Sequence, residues 1–130
     1  MMTLEYLGNP PTTSDKASRP LSPAVRAGDF VFISGQVPVD ENGIVVVGGI
    51  EAQTHQVMKN LHKVLQLVDA SFEDVCKATI FLEDARDFPA CNQVYKSYFG
   101  ANCPARSTVE ARLMIDAKVE IDLVVYKPKA

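Results

Sequence analysis

The sequence predicts a single α+β domain, residues 1–130, in which two helices pack on one face of a β-sheet. Its 130 residues, 47% apolar and 22% charged, are enough to bury a core of ordinary size. The predicted elements follow in the order β-β-α-β-α-β-β, and two helices are too few to cover both faces of the sheet. We therefore expect the bare face to meet another copy of the chain.

The N-terminal part of the chain is expected to begin irregularly and then to form strands. Prolines and small polar residues fill residues 1–23, which leaves room for one edge strand near 4–7. Four consecutive apolar residues, 30–33, stand between turn residues, a pattern typical of a strand covered on both faces. The β-branched run 44–47 follows the turn signal Asn42-Gly43 and predicts a second short strand.

A helix from about residue 50 to 68 is the clearest element of the sequence. One stripe of side chains recurs at alternating steps of four and three, as on the buried face of an amphipathic helix. The stripe is formed by Ile50, Thr54, Val57, Leu61, Val64 and Val68. His55 and His62 lie off this stripe, so we expect both at the surface.

The middle of the chain continues with a half-covered strand and a second helix. Ser71 and Asp74 have the spacing of a capping box, and the side chains of residues 76–82 alternate between two faces. The second helix is expected to have Asp87 as its N-cap, a proline in its first turn and Gly100 as its C-terminal stop.

Two strands, near 106–113 and 118–126, are expected to close the chain as an antiparallel hairpin turning near 114–117. If even positions pair with even positions, Arg106 and Glu120 share one polar face of this hairpin. In such a register they can be several residues apart, at about 3.4 Å per residue, so a small substrate and a water could lie between them.

The charges on this predicted face have two interpretations. A guanidinium is always charged, so Arg106 must face water, a carboxylate or a ligand that supplies one. It could hold a carboxylate bidentately while Glu120 polarises a water, or the whole face could be solvated. Glu110 lies on the same face and could equally be the partner of an arginine or the acting carboxylate.

The sequence gives weaker support for four other candidate site residues. Ser34 and Gly35 end a predicted strand, where a glycine allows a ligand to approach the backbone closely, although turn chemistry also explains them. Asn92 opens the second helix and is either pocket lining or plain helix surface. Cys103 is a candidate nucleophile without a nearby histidine, which favours an inert thiol.

Composition excludes several classes of function. A net charge of −3 without a cluster of Lys and Arg argues against nucleic acid as a partner. No apolar run reaches about 18 residues, which argues against a membrane span. Three cysteines without a Cys-x-x-Cys pair, beside two histidines, predict no metal site and suggest the reduced thiols of a cytoplasmic protein.

Five co-linear stretches of the sequence resemble the YjgF/Rid family of enamine and imine deaminases. They are "AGDFVFISGQVPVDENG", "IEAQTHQVMKNLHKVL", "FPACNQVYKSYFG", "CPARSTVEARL" and "KVEIDLVVY", spread over roughly residues 20 to 126. The resemblance implies a chorismate-mutase-like mixed sheet assembled as a homotrimer, with clefts between subunits. It implies hydrolysis of 2-imino and 2-enamino acids to 2-keto acids and ammonia, without a metal or organic cofactor.

By motif, the resemblance also implies roles for individual residues. Arg106 of "PARS" corresponds to the carboxylate clamp, and Glu120 of "KVEI" to the residue that activates water. Ser34 and Gly35 of "SGQ" and Asn92 of "CNQVY" correspond to the pocket lining, with Asn92 a candidate for supply by the adjacent subunit.

Two departures from the family pattern leave the substrate open. Thr108, also a pocket residue, stands where the best-studied members carry a cysteine, and Ala24 stands where they carry a tyrosine. The first expectation is a deaminase of small 2-imino acids. Alternatives are a deaminase of a pathway intermediate such as 2-aminomuconate, or a non-catalytic trimeric protein that binds metabolites or acts as a holdase. A ribonuclease role, also attached to the family, fits an acidic chain poorly.

Overall fold

Six strands and two helices make up the part of the chain that the computed structural model describes, residues 3–10 and 19–130. The strands are β1 (Glu5–Leu7), β2 (Ala24–Ala27), β3 (Phe30–Gln36), β4 (Val75–Leu82), β5 (Ala105–Glu110) and β6 (Val119–Tyr126). The helices are α1 (Gly49–Gln66) and α2 (Phe88–Lys96). Two 3-10 turns, Phe72–Asp74 and Ala85–Asp87, precede β4 and α2. The α+β class with two helices is confirmed.

The strands form one mixed sheet in the order β1-β2-β3-β6-β4-β5. All neighbours are antiparallel except β4 and β5, which run parallel. The expected closing hairpin is therefore wrong, because β4 lies between β5 and β6. The side chains explain the arrangement: β6 presents a fully buried row to the core and suits the middle of the sheet, whereas the polar β5 suits an edge.

Both helices pack on the face of the sheet to which β6 turns Val119, Ile121, Leu123 and Val125. The stripe of α1 is buried there as expected, with Val57 and Leu61 at 0% exposure, and the two histidines off the stripe are exposed. The helix-covered face thus holds the core of the domain.

Within residues 3–10 and 19–130, the opposite face of the sheet carries no helix. Residues 30–33 of β3 do not form a doubly covered strand, because Phe30 and Phe32 are 42% and 49% exposed while Val31 and Ile33 are buried. Tyr6 and Tyr126 lie on the same side as these two phenylalanines, as the strand register shows. We refer to the four rings as the aromatic patch of the bare face.

The run 44–47 is not a strand, and only one isolated bridge joins Val39 to Val45. Polar side chains of α1 hold this segment instead. Asn60 Nδ2 donates to the carbonyls of Val37 and Val39, at 3.0 and 2.9 Å, and Gln53 Nε2 donates to the Val46 carbonyl at 3.2 Å. Gln53 therefore binds the run itself, and Asn60 binds the residues that precede it, so both amides attach this part of the chain to α1.

Strand β2 begins directly after the segment that was expected to be irregular, was not predicted, and pairs with both β1 and β3. Its Arg26 is 6% exposed, and the guanidinium donates to the carbonyls of Gly28 and Lys127 at 3.2 and 2.7 Å. The flanking prolines and this buried arginine concealed the strand in the sequence. Residues 1–2 and 11–18 of the expected irregular segment lie outside the described residues.

The ends of the second helix differ in detail from the prediction. The capping box of Ser71 and Asp74 is present and opens a 3-10 turn. Asp87 precedes α2 but makes no side-chain cap, while Asp84 caps the 3-10 turn before it, and α2 ends four residues short of Gly100. Within the described ranges, no helix is both long enough and apolar enough to cross a membrane.

Gln53 links two loops at one end of the domain, and its loss is expected to destabilise the fold. Besides its bond to Val46, its Oε1 accepts the backbone N–H of Lys118 at 2.8 Å. Gln53→Ala leaves both backbone groups without their partner, so the free energy of unfolding should fall by about 1–3 kcal/mol. Chemical denaturation would measure the change, with Gln66→Ala in the exposed last turn of α1 as control. Equal stabilities of the two variants would contradict this role.

Candidate active site

Arg106 projects from the edge strand β5 towards α2. It pairs with Ala78 of β4 and therefore shares the helix-covered face. Its Cζ lies 5.5 Å from the centre of the Phe88 ring and 5.0 Å from that of Tyr95. None of the ion pairs formed within the described ranges involves Arg106. Two rings thus orient a guanidinium whose N–H groups remain available to a ligand.

A cleft of about 360 Å³ opens beside this guanidinium. It is lined by Asn92, Tyr95, Lys96, Cys103, Pro104 and Arg106. Three buried polar atoms near Arg106 have no hydrogen-bond partner among the residues that the structure describes: Asn92 Oδ1, the Tyr95 hydroxyl and Thr108 Oγ1. Such atoms are rare in folded proteins and favour a polar ligand in this place.

Tyr95 is neutral at physiological pH. Burial raises the pKa of its hydroxyl to about 12, although the nearby charge of Arg106 opposes the rise. The ring can therefore support the guanidinium without forming an ion pair with it.

Glu120 lies on the bare face of the sheet, in β6. It pairs with Phe81 of β4 and lies against β3 at Gly35. A Cβ built on Gly35 would come within 2.9 Å of Glu120 Cδ, so a glycine is needed for the carboxyl to lie where it does. Burial, and secondly the charge of Asp122, raise the pKa of Glu120 above that of an ordinary glutamate.

Ser34 and Gly35 border a larger cleft of about 590 Å³ between β3, α1 and the loop after β3. The Ser34 hydroxyl donates to the Ser22 carbonyl at 2.6 Å, and its backbone N–H donates to the Pro23 carbonyl at 3.0 Å. Ser34 therefore fixes the backbone beside Gly35, and it is not an uncommitted hydroxyl.

Arg106 and Glu120 do not share a face, contrary to the sequence-based expectation. Strand β4 separates β5 from β6, which places the two backbones about 10 Å apart, and the side chains point to opposite sides of the sheet. The error came from assuming that β5 and β6 pair directly. The candidate residues of one chain therefore fall into two separate groups, which we call the Arg106 half-site, with Asn92 and Thr108, and the Glu120 half-site, with Ser34 and Gly35.

Glu110 is engaged elsewhere. Its Oε1 accepts the backbone N–H of Ala85 at 2.7 Å, at the start of the 3-10 turn before α2. It shares the face of Arg106 but forms no ion pair with it within the described ranges. Glu110 and Glu120 were both candidates for the acting carboxylate, and of these two Glu120 is the one that lies next to Gly35.

The sequence did not identify Phe88 and Tyr95 as site residues. Their spacing of seven residues, with Asn92 between them, puts all three on one side of α2, and this is the signal that could have revealed them. The part of the chain that the structure describes holds no group of three or more His, Cys, Asp or Glu side chains suited to a metal ion.

Comparison with known proteins connects this chain to one family. Residues 12–127 match the family model described as endoribonuclease L-PSP. The chain is 40% identical over 121 residues to the 3-aminoacrylate deaminase RutC of Acinetobacter baylyi, covering 92% of each chain. It is 36% identical over 115 residues to the 2-iminobutanoate/2-iminopropanoate deaminase of Mus musculus, covering 87% of this chain and 85% of that one. The crystal structure of the E. coli YjgF gene product matches with a TM-score of 0.78 and 33% identity, over 82% of this chain and 87% of that one.

The charge of Asp122 is expected to set part of the acidity of Glu120. Asp122 is the charged neighbour that raises the pKa of Glu120, so removing its charge in Asp122→Asn should lower that pKa towards the ordinary value. A carboxyl-detected NMR titration would follow the Glu120 resonance in both proteins. Asp116→Asn, an exposed substitution in the loop before β6, is the control. An unchanged or higher pKa in Asp122→Asn would contradict the assignment.

Proposed function

This chain belongs to the YjgF/Rid family, described by the endoribonuclease L-PSP model, and from that premise we propose that it hydrolyses reactive 2-imino and 2-enamino acids. Its products would be 2-keto acids and ammonia. The observation that carries the proposal is the Arg106 guanidinium, which two rings hold in a cleft beside unpartnered polar atoms. A 2-imino acid offers the carboxylate that such a guanidinium binds bidentately.

The proposed reaction needs orientation and a water rather than a strong nucleophile. Water adds to C2 of the protonated imine and gives up one proton to Glu120, which leaves a neutral carbinolamine. Glu120 returns this proton to the amino group, ammonia leaves as the C=O bond forms, and the hydroxyl proton passes to Glu120. The imine, one water and no other reactant yield the keto acid and ammonia. The raised pKa of Glu120 makes this carboxylate a better proton acceptor than an ordinary glutamate, which suits a general base.

Both half-sites must meet for this chemistry, and a second copy of the chain supplies the missing half. Arg106 lies at one edge of the sheet, and Glu120 lies on the face that carries no helix. A contact that sets the β5 edge of one copy against the bare face of the next would also cover the aromatic patch. An interface between two different surfaces forms a ring when the rotation between successive copies closes, and we propose the closed homotrimer that the family resemblance implies.

The description of the family model names an endoribonuclease, but the charges favour a small substrate over RNA. The net charge is −3, and two carboxylates, Glu120 and Asp122, lie side by side on the bare face. A phosphate backbone would be repelled there, whereas a nucleic-acid site gathers Lys and Arg.

Substitution of the clamp tests the proposed activity. Arg106→Ala should lower kcat/KM for 2-iminobutyrate by about 100-fold or more, because the substrate carboxylate loses a bidentate partner. Arg106→Lys should recover little, since an ammonium lacks the planar fork. The rate of keto-acid release from an imine made in situ by an amino-acid oxidase is the measurement. Arg112→Ala, an exposed arginine beyond the end of β5, is the matched control. Equal rates for wild type and Arg106→Ala would remove the deaminase proposal.

Mixed assemblies test whether the two half-sites come from different copies. Chains with Arg106→Ala keep Glu120, and chains with Glu120→Gln keep Arg106, so either variant alone should be inactive. When the two are co-expressed in equal amounts, about a quarter of the shared sites should combine both intact residues and regain activity. The same sample would show the oligomeric state by light scattering. A mixture as inactive as its components would mean that the sites are not shared between copies.

A further inference from the structure

Cys103 lies in the same cleft as Arg106, and the proposed reaction does not use its thiol. The thiol is exposed, and Tyr95, Lys96 and Arg106 line the cleft of about 360 Å³ together with it. Pro104 follows the cysteine directly and restricts its backbone to extended conformations. The chain therefore presents a nucleophilic sulfur in a cleft that also holds two cations.

The three cysteines of the chain differ in the surroundings of their sulfur atoms. Cys91 is 1% exposed, and burial raises the pKa of its thiol, which makes it a poor nucleophile. Cys76 is exposed, but its thiol donates to the Val124 carbonyl at 3.4 Å. Of the two exposed thiols, that of Cys103 is the one that shares a cleft with the Arg106 guanidinium.

The hydroxyl of Tyr95 is a second sign of an anion site beside this thiol. Tyr95 is 3% exposed, and its hydroxyl has no hydrogen-bond partner within the described residues. Burial is the main cause of the raised pKa of this hydroxyl; the charge of Arg106 opposes the rise, and a negative charge on Cys103 adds to it. The hydroxyl therefore lies near both the guanidinium and the thiol, and it can donate to an anion that binds there.

The two cations of the cleft are available to an anionic reagent. Lys96 lies exposed in the last turn of α2, and neither it nor Arg106 forms an ion pair in the part of the chain that the structure describes. Cys103 and Arg106 are three residues apart, which is at most about 11 Å of extended chain. A small molecule that the guanidinium holds by a carboxylate can therefore reach the sulfur with its other end.

From these contacts we propose that small disulfides that carry a carboxylate modify Cys103 reversibly and that the modification closes the cleft. The Cys103 thiolate attacks one sulfur of the reagent, the S–S bond of the reagent breaks, and a mixed disulfide forms at Cys103. The other half leaves as a thiolate and takes up the proton that Cys103 gave up. The carboxylate of the retained half then occupies Arg106. The closure rests on the proposed deaminase function, whereas the modification itself needs no turnover.

The rate of modification tests the role of the carboxylate. Dithiodipropionate and hydroxyethyl disulfide differ in whether each end carries a carboxylate or a hydroxyl. Mass spectrometry of the peptides would give the rate at Cys103, with the exposed Cys76 of the same molecule as reference. The rate at Cys103 relative to Cys76 should be about 10-fold or more higher with dithiodipropionate than with hydroxyethyl disulfide. Equal relative rates with the two reagents would overturn the proposal.

Removal of either cation should weaken this preference. Arg106→Ala should lower the relative rate with dithiodipropionate by about 10-fold, and Lys96→Gln should lower it by a smaller factor. Neither variant should change the relative rate with hydroxyethyl disulfide, which carries no charge. Arg112→Ala removes an exposed arginine that does not line the cleft, and this control should change neither rate. A preference that is undiminished in both cleft variants would contradict the proposal.

Measurements before and after modification separate this inference from the proposed reaction. By calorimetry, the affinity for 2-oxobutyrate should fall about 10-fold or more on modification and return after reduction with dithiothreitol. Cys103→Ser treated in the same way should keep the affinity it had before treatment. Preferential modification of Cys103 with loss of binding, in a protein that hydrolyses no imine, would support the site and contradict the deaminase. Hydrolysis of 2-iminobutyrate at the same rate before and after modification would support the deaminase and contradict the closure.

Discussion

The guanidinium of Arg106 is held between two aromatic rings instead of by a carboxylate, and the proposed chemistry depends on that difference. A half-buried charge needs compensation, and an acidic neighbour would supply it at the cost of competing with any anionic ligand. The faces of Phe88 and Tyr95 stabilise the cation while they leave its N–H groups uncommitted. Helix α2 must therefore lie against the edge strand β5, and the parallel pairing of β5 with β4 is what brings that edge beneath the helix.

The alternation of side chains along a strand imposes a second constraint. Residues of β5 and β6 that project to opposite faces cannot meet within one chain, however the loops between them move. Arg106 belongs to the face that α2 covers, and Glu120 belongs to the face that carries the aromatic patch. A surface with four exposed rings and a partly buried glutamate is poorly suited to solvent. The same contact that covers the rings would complete the site, so assembly and proposed catalysis have one structural cause.

The sequence predicted those elements whose signal is local. Helix α1 and the Ser71 capping box followed from spacing within a few residues, and the YjgF/Rid motifs pointed to both Arg106 and Glu120. The predictions that were wrong concern segments whose structure is set by residues far away in the sequence. The sequences of β5 and β6 do not show that β4 lies between them. The prediction paired these two strands directly, and it therefore placed Arg106 and Glu120 on the same face of the sheet. The side-chain amide of Gln53 binds the backbone of the run 44–47, and that of Asn60 binds the residues before it; strand propensity does not include such contacts.

The pKa of Glu120 links the two constraints, because assembly would have two opposite effects on this pKa. Within one chain, burial and Asp122 raise its pKa, which favours a proton acceptor but also a larger protonated fraction. Covering the bare face would remove more water and raise the pKa further. A neighbouring copy that brings Arg106 towards the same cleft would lower it, until a substrate carboxylate neutralises that cation. Binding of an anionic substrate would therefore raise the basicity of Glu120 at the moment when a water must be deprotonated, which couples carboxylate recognition to the hydrolytic step.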